Sequence, residues 1–247
     1  MNTLPKPILA LIISFSFRNR AVCRRWRDAV AYSFKPTDFG RIAQFGTKLV
    51  AEAFLVQHPA IDWNDGLYLA CKCGNEEIAR LMIRGGANHW NIGLRGACHR
   101  GHESLARLMI QHGANDLNFG LYASCAGGYE SIVLLMLRSG ATEIDLAMRT
   151  ACENGHENIV CILIQHGAND WENGLNAACK GGWESIAQLM IQHGAKKIRH
   201  GLNRACKHDQ INIVQFMLQH GYVDLETCIE ILNKFGCNTD FFESLRI

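Results

Sequence analysis

Cysteines stand at positions 71, 98, 125, 152, 179 and 206, and several have histidines beside them, as in GLRGACHRGHESLARLMIQHGAND at residues 93–116. Thiolate and imidazole are the preferred ligands of zinc, and the thiol is the group of redox exchange. Cys98, His99, His102 and His112 could therefore form one of a series of metal or redox sites. Zinc requires about four ligands converging within about 2.0–2.3 Å of one point. The histidines do not supply them copy after copy. Where one copy has His102, others have Asn75, Tyr129, Trp183 and Gln210, and where it has His112, two have Gly85 and Ser139. Tryptophan and glycine cannot stand in for an imidazole ligand. Equivalent cysteines of adjacent copies are also expected about one helix-packing distance apart, roughly 8–10 Å, too far to share an ion. Cys71 and Cys73 are too close in sequence and lack a second pair. No metal and no other cofactor is expected, and the cysteine reads as a small buried hydrophobe.

Other chemistry is equally unsupported. The chain has no G-x-S-x-G, no G-x-x-x-x-G-K-S/T and no G-x-G-x-x-G at a strand–helix junction. Its many glycines are expected at helix ends rather than in a phosphate loop. An open repeat groove also lacks the enclosure that catalysis on a small molecule needs. The chain is expected not to be an enzyme and to have no small-molecule substrate.

The elements that carry these residues follow from the period. The cysteines recur every 27 residues without drift, and Gly66, Gly93, Gly120, Gly174 and Gly201 keep the same register, with Ala147 at the fourth place. The unit reads G-L-x-x-A-C-x-x-G-H-E-S/N-I-x-x-L-M-I-Q-H-G-A. Leu94, Ala97 and Cys98 give one apolar stripe at helical spacing, and Gly101 interrupts it. Leu105, Leu108 and Met109 give a second stripe on a helix opening near Glu103, as others open near Glu76, Glu130, Glu157 and Glu184, where acid suits the helix N-terminus. Gly113, Gly140, Gly167, Gly194 and Gly221 end the second helix. The connectors, such as AND-WN, are polar with one aromatic. At about two turns each, neither helix buries its stripe alone, so copies must stack. Ala70, Ala97, Ala151, Ala178 and Ala205 permit close approach. The expected organisation is a segment at 1–35 and a repeat array at 36–247. Within the array, a degenerate first copy spans 36–62, clear copies 63–224 and a C-terminal cap 225–247.

The pattern A-C-x-x-G-H-x-x-I-x-x-L-M-I-x-x-G-A resembles the ankyrin repeat over roughly residues 40–225. It departs in length, at 27 rather than about 33 residues, and lacks the opening T-P-L-H turn, so the β-hairpin fingers are expected to shrink to short loops. Text such as GANDWN is similar to compact repeats of large DNA viruses, which suggests a viral origin. The resemblance implies an all-α solenoid whose first helices line a concave partner-binding face. The side chains two, six and seven positions after the repeat glycine point away from the apolar stripe. The candidate partner-binding residues among them are Tyr68, Lys72, Arg95, His99, Arg100, Tyr122, Arg149, Glu153, Asn176, Lys180, Asn203 and Lys207. This set is mainly basic with two tyrosines, and Tyr and Arg are favoured at interface hot spots. An acidic protein surface suits it better than nucleic acid, because the bases are sparse.

Residues 1–35 differ in charge. They hold seven Lys/Arg against Asp28, leaving 18 bases and 22 acids for the rest of the chain, whose total is 25 and 23. The two parts are expected to meet different partners. ILALIISFSF at 8–17 is too short to span a bilayer, which takes about 20 residues. An arginine cluster, not a small-residue cleavage site, follows it, against a secretory signal. Without export, eleven cysteines are expected as reduced thiols inside a cell, in host cytoplasm first and nucleus second. LPKPILALIISF and VCRRWRDAV resemble the F-box, with a shortened middle. That resemblance implies docking to the Skp-type adaptor of a cullin–RING ubiquitin ligase through Leu4, Pro5, Ile8, Ile12, Phe15, Val22 and Trp26. The alternative is a hairpin that only caps the first repeat. The function expected is therefore a protein-interaction scaffold: a substrate-recognition adaptor of such a ligase, or a plain binding and sequestering module.

Overall fold

The computed structural model describes residues 40, 42–43, 48–58 and 61–246. The F-box-like segment, with Leu4, Pro5, Ile8, Ile12, Phe15, Val22 and Trp26, lies outside the described residues, as does most of the start of the degenerate copy. Among the described residues the regular structure is helical, with no strand. In chain order the helices are α1 Lys48–Gln57, α2 Trp63–Cys73, α3 Glu76–Gly85, α4 Trp90–Arg100, α5 Glu103–Gln111, α6 Leu117–Gly127, α7 Glu130–Ser139 and α8 Ile144–Asn154. They continue as α9 Glu157–Gln165, α10 Trp171–Gly181, α11 Glu184–Gln192, α12 Ile198–Lys207, α13 Ile211–Gln219, α14 Leu225–Phe235 and α15 Asp240–Glu243. First helices thus begin at Trp63, Trp90, Leu117, Ile144, Trp171, Ile198 and Leu225, every 27 residues. The expected two-helix copies are present and the connectors are short loops.

Two local expectations need correction. Helices of a clear copy run 9–11 residues, closer to three turns than two at 3.6 residues per turn. The first helix also begins three residues ahead of the repeat glycine. The connector tryptophans Trp63, Trp90 and Trp171 are therefore first-turn residues, and Gly93, Gly174 and Gly201 lie inside helices rather than at their ends. At three of these helices a side-chain cap, which the apolar stripe does not report, fixes the start. Asp62 accepts the backbone N–H of Asn64 at 2.8 Å, Asp170 that of Asn173 at 3.2 Å and Asp224 that of Thr227 at 2.7 Å. The second helices begin at the predicted glutamates, and Gly113 follows its helix with φ +104°.

The chain divides between Ser124 and Cys125 into two compact units. In the unit ending at Ser124, α2 packs on α4, and α1, α3 and α5 pack in that order behind them. In the unit beginning at Cys125, α8, α10, α12 and α14 form one row and α7, α9, α11 and α13 the other, with α15 on α14. Leu94, Ala97, Cys98 and Met109 are completely buried, as are Leu175, Ala178, Cys179 and Met190 at the equivalent places.

The helical glycine is explained by what lies against it. A Cβ added at Gly174 would stand 2.5 Å from the Met190 Sδ and 3.6 Å from the Cys152 Sγ; at Gly93 it would meet Met109 Sδ and lie 3.4 Å from Cys71 Sγ. The repeats of Gly93, Gly174 and Gly201 thus seat a methionine of their own second helix and the cysteine of the preceding repeat around a missing side chain. In the one clear copy with Ala147 in place of glycine, the partner position holds Leu163 instead of methionine, and both are buried.

Inside the units, polar side chains join neighbouring copies in three rows. Asn91 Oδ1 accepts the backbone N–H groups of Asn115 (2.8 Å) and Asp116 (3.0 Å). Asp145 does the same for Asn169 and Asp170, and Glu172 for Lys196 and Lys197. These bonds hold the connector where no hairpin finger exists. His102 Nε2–H donates to the Lys72 carbonyl at 3.2 Å, His156 to that of Ala126 at 3.3 Å, and Trp183 Nε1–H to that of Glu153 at 3.0 Å. Glu130 accepts from Asn158, Glu157 from Ser185 and Glu184 from Asn212. A net hydrogen bond contributes about 1 kcal/mol, against about 1.5–3 kcal/mol for a fully buried Leu or Met. The apolar seam therefore supplies most of the stability and the polar rows set the register.

Candidate functional site

The cysteines and histidines are absorbed by this packing. Burial pushes the thiols of Cys71, Cys98, Cys125, Cys152, Cys179 and Cys206 up to about 12. They are protonated at neutral pH, when a ligand or nucleophile must be thiolate. Among the described residues no group of three or more His, Cys, Asp or Glu is placed to hold a metal ion. The histidine at the G-H position is an inter-repeat donor, which explains its exchange for tryptophan: an indole N–H makes the same bond. The partner of the histidine ring at the Q-H position depends on which residue opens the first helix of the same copy. His112 stacks on Trp90 at 4.7 Å between ring centres and His193 on Trp171 at 4.8 Å. Where the first helix opens with Ile144 or Ile198, the ring of His166 or His220 turns back onto the carbonyl four residues earlier, at 2.8 and 2.9 Å.

The first helices display the varying side chains. In the unit ending at Ser124, Arg95, His99, Arg100 and Tyr122 are exposed, and Tyr68 and Lys72 are half-buried. Lys72 Nζ lies 5.5 Å from the centre of the Tyr68 ring, and the Arg95 guanidinium 4.6 Å from that of Phe119. In the other unit, Arg149 and Lys207 are exposed and Glu153, Asn176, Lys180 and Asn203 half-buried. Lys180 Nζ is 2.6 Å from Glu153 Oε1, so the acid predicted to dilute this face is neutralised by a neighbour one repeat away. Among the described residues, His99, Arg100, Tyr122, Arg149 and Lys207 have no side-chain hydrogen bond or ion pair. Each unit therefore presents first-helix cations that are not balanced by acids of the same face.

One part of the face is a pocket. Asn176 of α10, His200, Asn203, Arg204 and Lys207 of α12 and Phe235 of α14 enclose an open space of about 470 Å³. The Oδ1 atoms of Asn176 and Asn203 are shielded from solvent and receive no hydrogen bond. Three of these six residues, His200, Arg204 and Phe235, were not among the sequence-predicted contacts. Arg204 had a legible signal, since four of the equivalent residues, Gly96, Ala123, Thr150 and Ala177, are small and buried and the fifth, Leu69, is apolar and half-buried. Phe235 had none, because it lies past the last copy that keeps the consensus.

Residues 148–227 match the family model for ankyrin repeats, in three copies. No curated protein matches the chain. Among the described residues no helix is long and apolar enough to cross a membrane.

Proposed function

We propose that this chain, with its ankyrin repeats, is a protein-recognition scaffold whose first-helix face grips an acidic surface of its partner. The supporting observation is a division of labour between residues. Side chains of the repeated consensus are engaged in the seam or in the polar rows between copies. The changing positions, such as Arg95, His99, Arg100, Tyr122 and Arg149, are exposed on the first helices. Arg and Tyr supply large contact area with a charged or polar tip, as interface hot spots require. The whole candidate set is Tyr68, Lys72, Arg95, His99, Arg100, Tyr122, Arg149, Glu153, Asn176, Lys180, Asn203 and Lys207. Charge reversal at Arg95, Arg100 and Arg149 in the full chain is expected to abolish partner capture without lowering the melting temperature. Undiminished capture, together with loss on changing exposed second-helix residues such as Arg107 and Gln111, would place the interface elsewhere and refute the proposal.

In this proposal residues 1–35 deliver the captured target to a cullin–RING ubiquitin ligase, and the repeats at 36–247 act as the selecting domain. Support comes from the LPKPILALIISF and VCRRWRDAV text and from the opposite charge of the two parts. The contact residues are Leu4, Pro5, Ile8, Ile12, Phe15, Val22 and Trp26, and the setting is a host cell in which a viral protein borrows the ligase. Purified Skp-type adaptor should bind the full chain and fail to bind a variant with Ile12→Ala and Trp26→Ala. If well-folded full chain does not bind the adaptor, delivery is excluded and a plain binding module remains. Removing residues 1–35 then tests capping: loss of thermal stability is the expected mark of a cap.

A further inference from the structure

The pocket between α10, α12 and α14 has features that a general contact face does not require. Among the described residues no hydrogen bond holds either asparagine amide, so each can turn about its Cβ–Cγ bond and offer N–H or C=O to an occupant. A side-chain amide matches a peptide bond donor for acceptor. Asn176 and Asn203 are equivalent residues of adjacent copies, on first helices that pack roughly 8–10 Å apart. Three residues of extended chain span that distance at about 3.3 Å each. Arg204 and Lys207 are exposed one turn apart on the same helix, with His200 a turn earlier. None of the three has a hydrogen-bonded or ion-paired acid among the described residues, and no acid lines the pocket. Arg199, by contrast, has its charge met by Glu230 at 2.7 Å. Phe235 adds an exposed aromatic surface, with Lys234 Nζ 5.7 Å from its ring centre.

We propose that this pocket clasps an extended acidic peptide segment of the partner protein. The amides of Asn176 and Asn203 pair with its backbone, Arg204 and Lys207 hold a carboxylate side chain, and the Phe235 ring supports an apolar neighbour of that carboxylate. The proposal deepens the protein-recognition reading and rests on it, by naming a site and a chemistry within the face.

The test uses the full chain and a fluorescein-labelled, terminally blocked hexapeptide of glutamates with one central tyrosine. Saturable binding is expected, weakening as salt rises. Arg204→Gln with Lys207→Gln, both exposed sites, should reduce affinity at least ten-fold, and Asn176→Ala with Asn203→Ala should do likewise. In ¹⁵N-resolved spectra the amide groups of those two asparagines should shift on titration. No binding overturns the proposal, as does binding that survives both double variants. A single-stranded oligonucleotide of equal charge that displaces the peptide at equal concentration also overturns it, in favour of nucleic acid. If capture of the native partner is lost on reversing Arg95, Arg100 and Arg149 yet survives the pocket variants, the face stands and only the pocket fails.

Discussion

Gly174→Ala probes the packing logic most directly, because the substitution is helix-favouring in isolation. Within a helix, alanine is better than glycine by about 0.5–1 kcal/mol. Here the new methyl would lie 2.5 Å from Met190 Sδ and 3.3 Å from Met190 Cγ, where carbon contacts are comfortable at about 3.5–4.0 Å. Met190 is completely buried. Overpacking of this kind costs about 1–3 kcal/mol, so a net loss of roughly 1–2 kcal/mol remains after the propensity gain. The melting temperature should fall by about 2–8 °C for a chain of this size. Met190→Leu alone is a near volume-conserving swap, costing below about 1.5 kcal/mol. Together the two changes recreate the Ala147 and Leu163 pair that another copy uses. Urea denaturation followed by circular dichroism on the wild type, both single variants and the double variant closes a mutant cycle. A coupling of at least about 1 kcal/mol in favour of the double variant is expected. If Gly174→Ala raises stability, or if the two effects simply add, the account of why the glycine recurs is wrong.

Two further outcomes follow from the same packing. Under native conditions iodoacetamide should modify exposed Cys161 well before Cys71, Cys98, Cys152 and Cys179, which are fully buried with thiols pushed up to about 12; peptide mass mapping that finds Cys98 or Cys179 labelled at the Cys161 rate would contradict this. Asp224 accepts the Thr227 backbone N–H and then the Thr227 hydroxyl, at 2.7 and 3.1 Å, and these bonds hold its carboxyl below the ordinary aspartate value. Because the folded-state value is the lower one, its contribution is fully present above the unfolded value near 4 and is lost as pH falls through the lowered value. Asp224→Asn should flatten the acid limb of the stability curve while keeping the cap. An unchanged acid limb on thermal denaturation between about pH 2 and 5 would show that this carboxyl contributes nothing.

Much of the scaffold was legible before any coordinates. The period follows from the recurring cysteines and glycines, the opening of the second helices from their glutamates, and the two helices per copy and the burial of Leu94, Ala97, Cys98 and Met109 from apolar spacing. That spacing reports only which side of a helix avoids water. It does not report where a helix starts, so from the sequence the tryptophans read as connector residues and the recurring glycines as helix-end residues. The placement of Trp63 and Trp171 depends on aspartate caps, and that of Gly93 and Gly174 on a methionine sixteen residues further along the chain. The histidines show the same limit. Their replacement by tryptophan argued against a metal, but the shared reason, a donor reaching a carbonyl of the preceding copy, appears only when copies are stacked.

The candidate face divides in the same way. Sequence variation alone picked out Arg95, His99, Arg100, Tyr122 and Arg149 as residues the repeat does not keep. Neutralisation of Glu153 by Lys180, the unheld amides of Asn176 and Asn203, and the gathering of Phe235 and Arg204 around one pocket were decided by tertiary structure. Each joins residues of different copies, separated by 27 or more positions. A one-dimensional pattern records what each copy must bury for itself, because that constraint acts within one helix. What a copy shares with its neighbour is set by distances across the stack, and the groups that can meet a partner are chosen there.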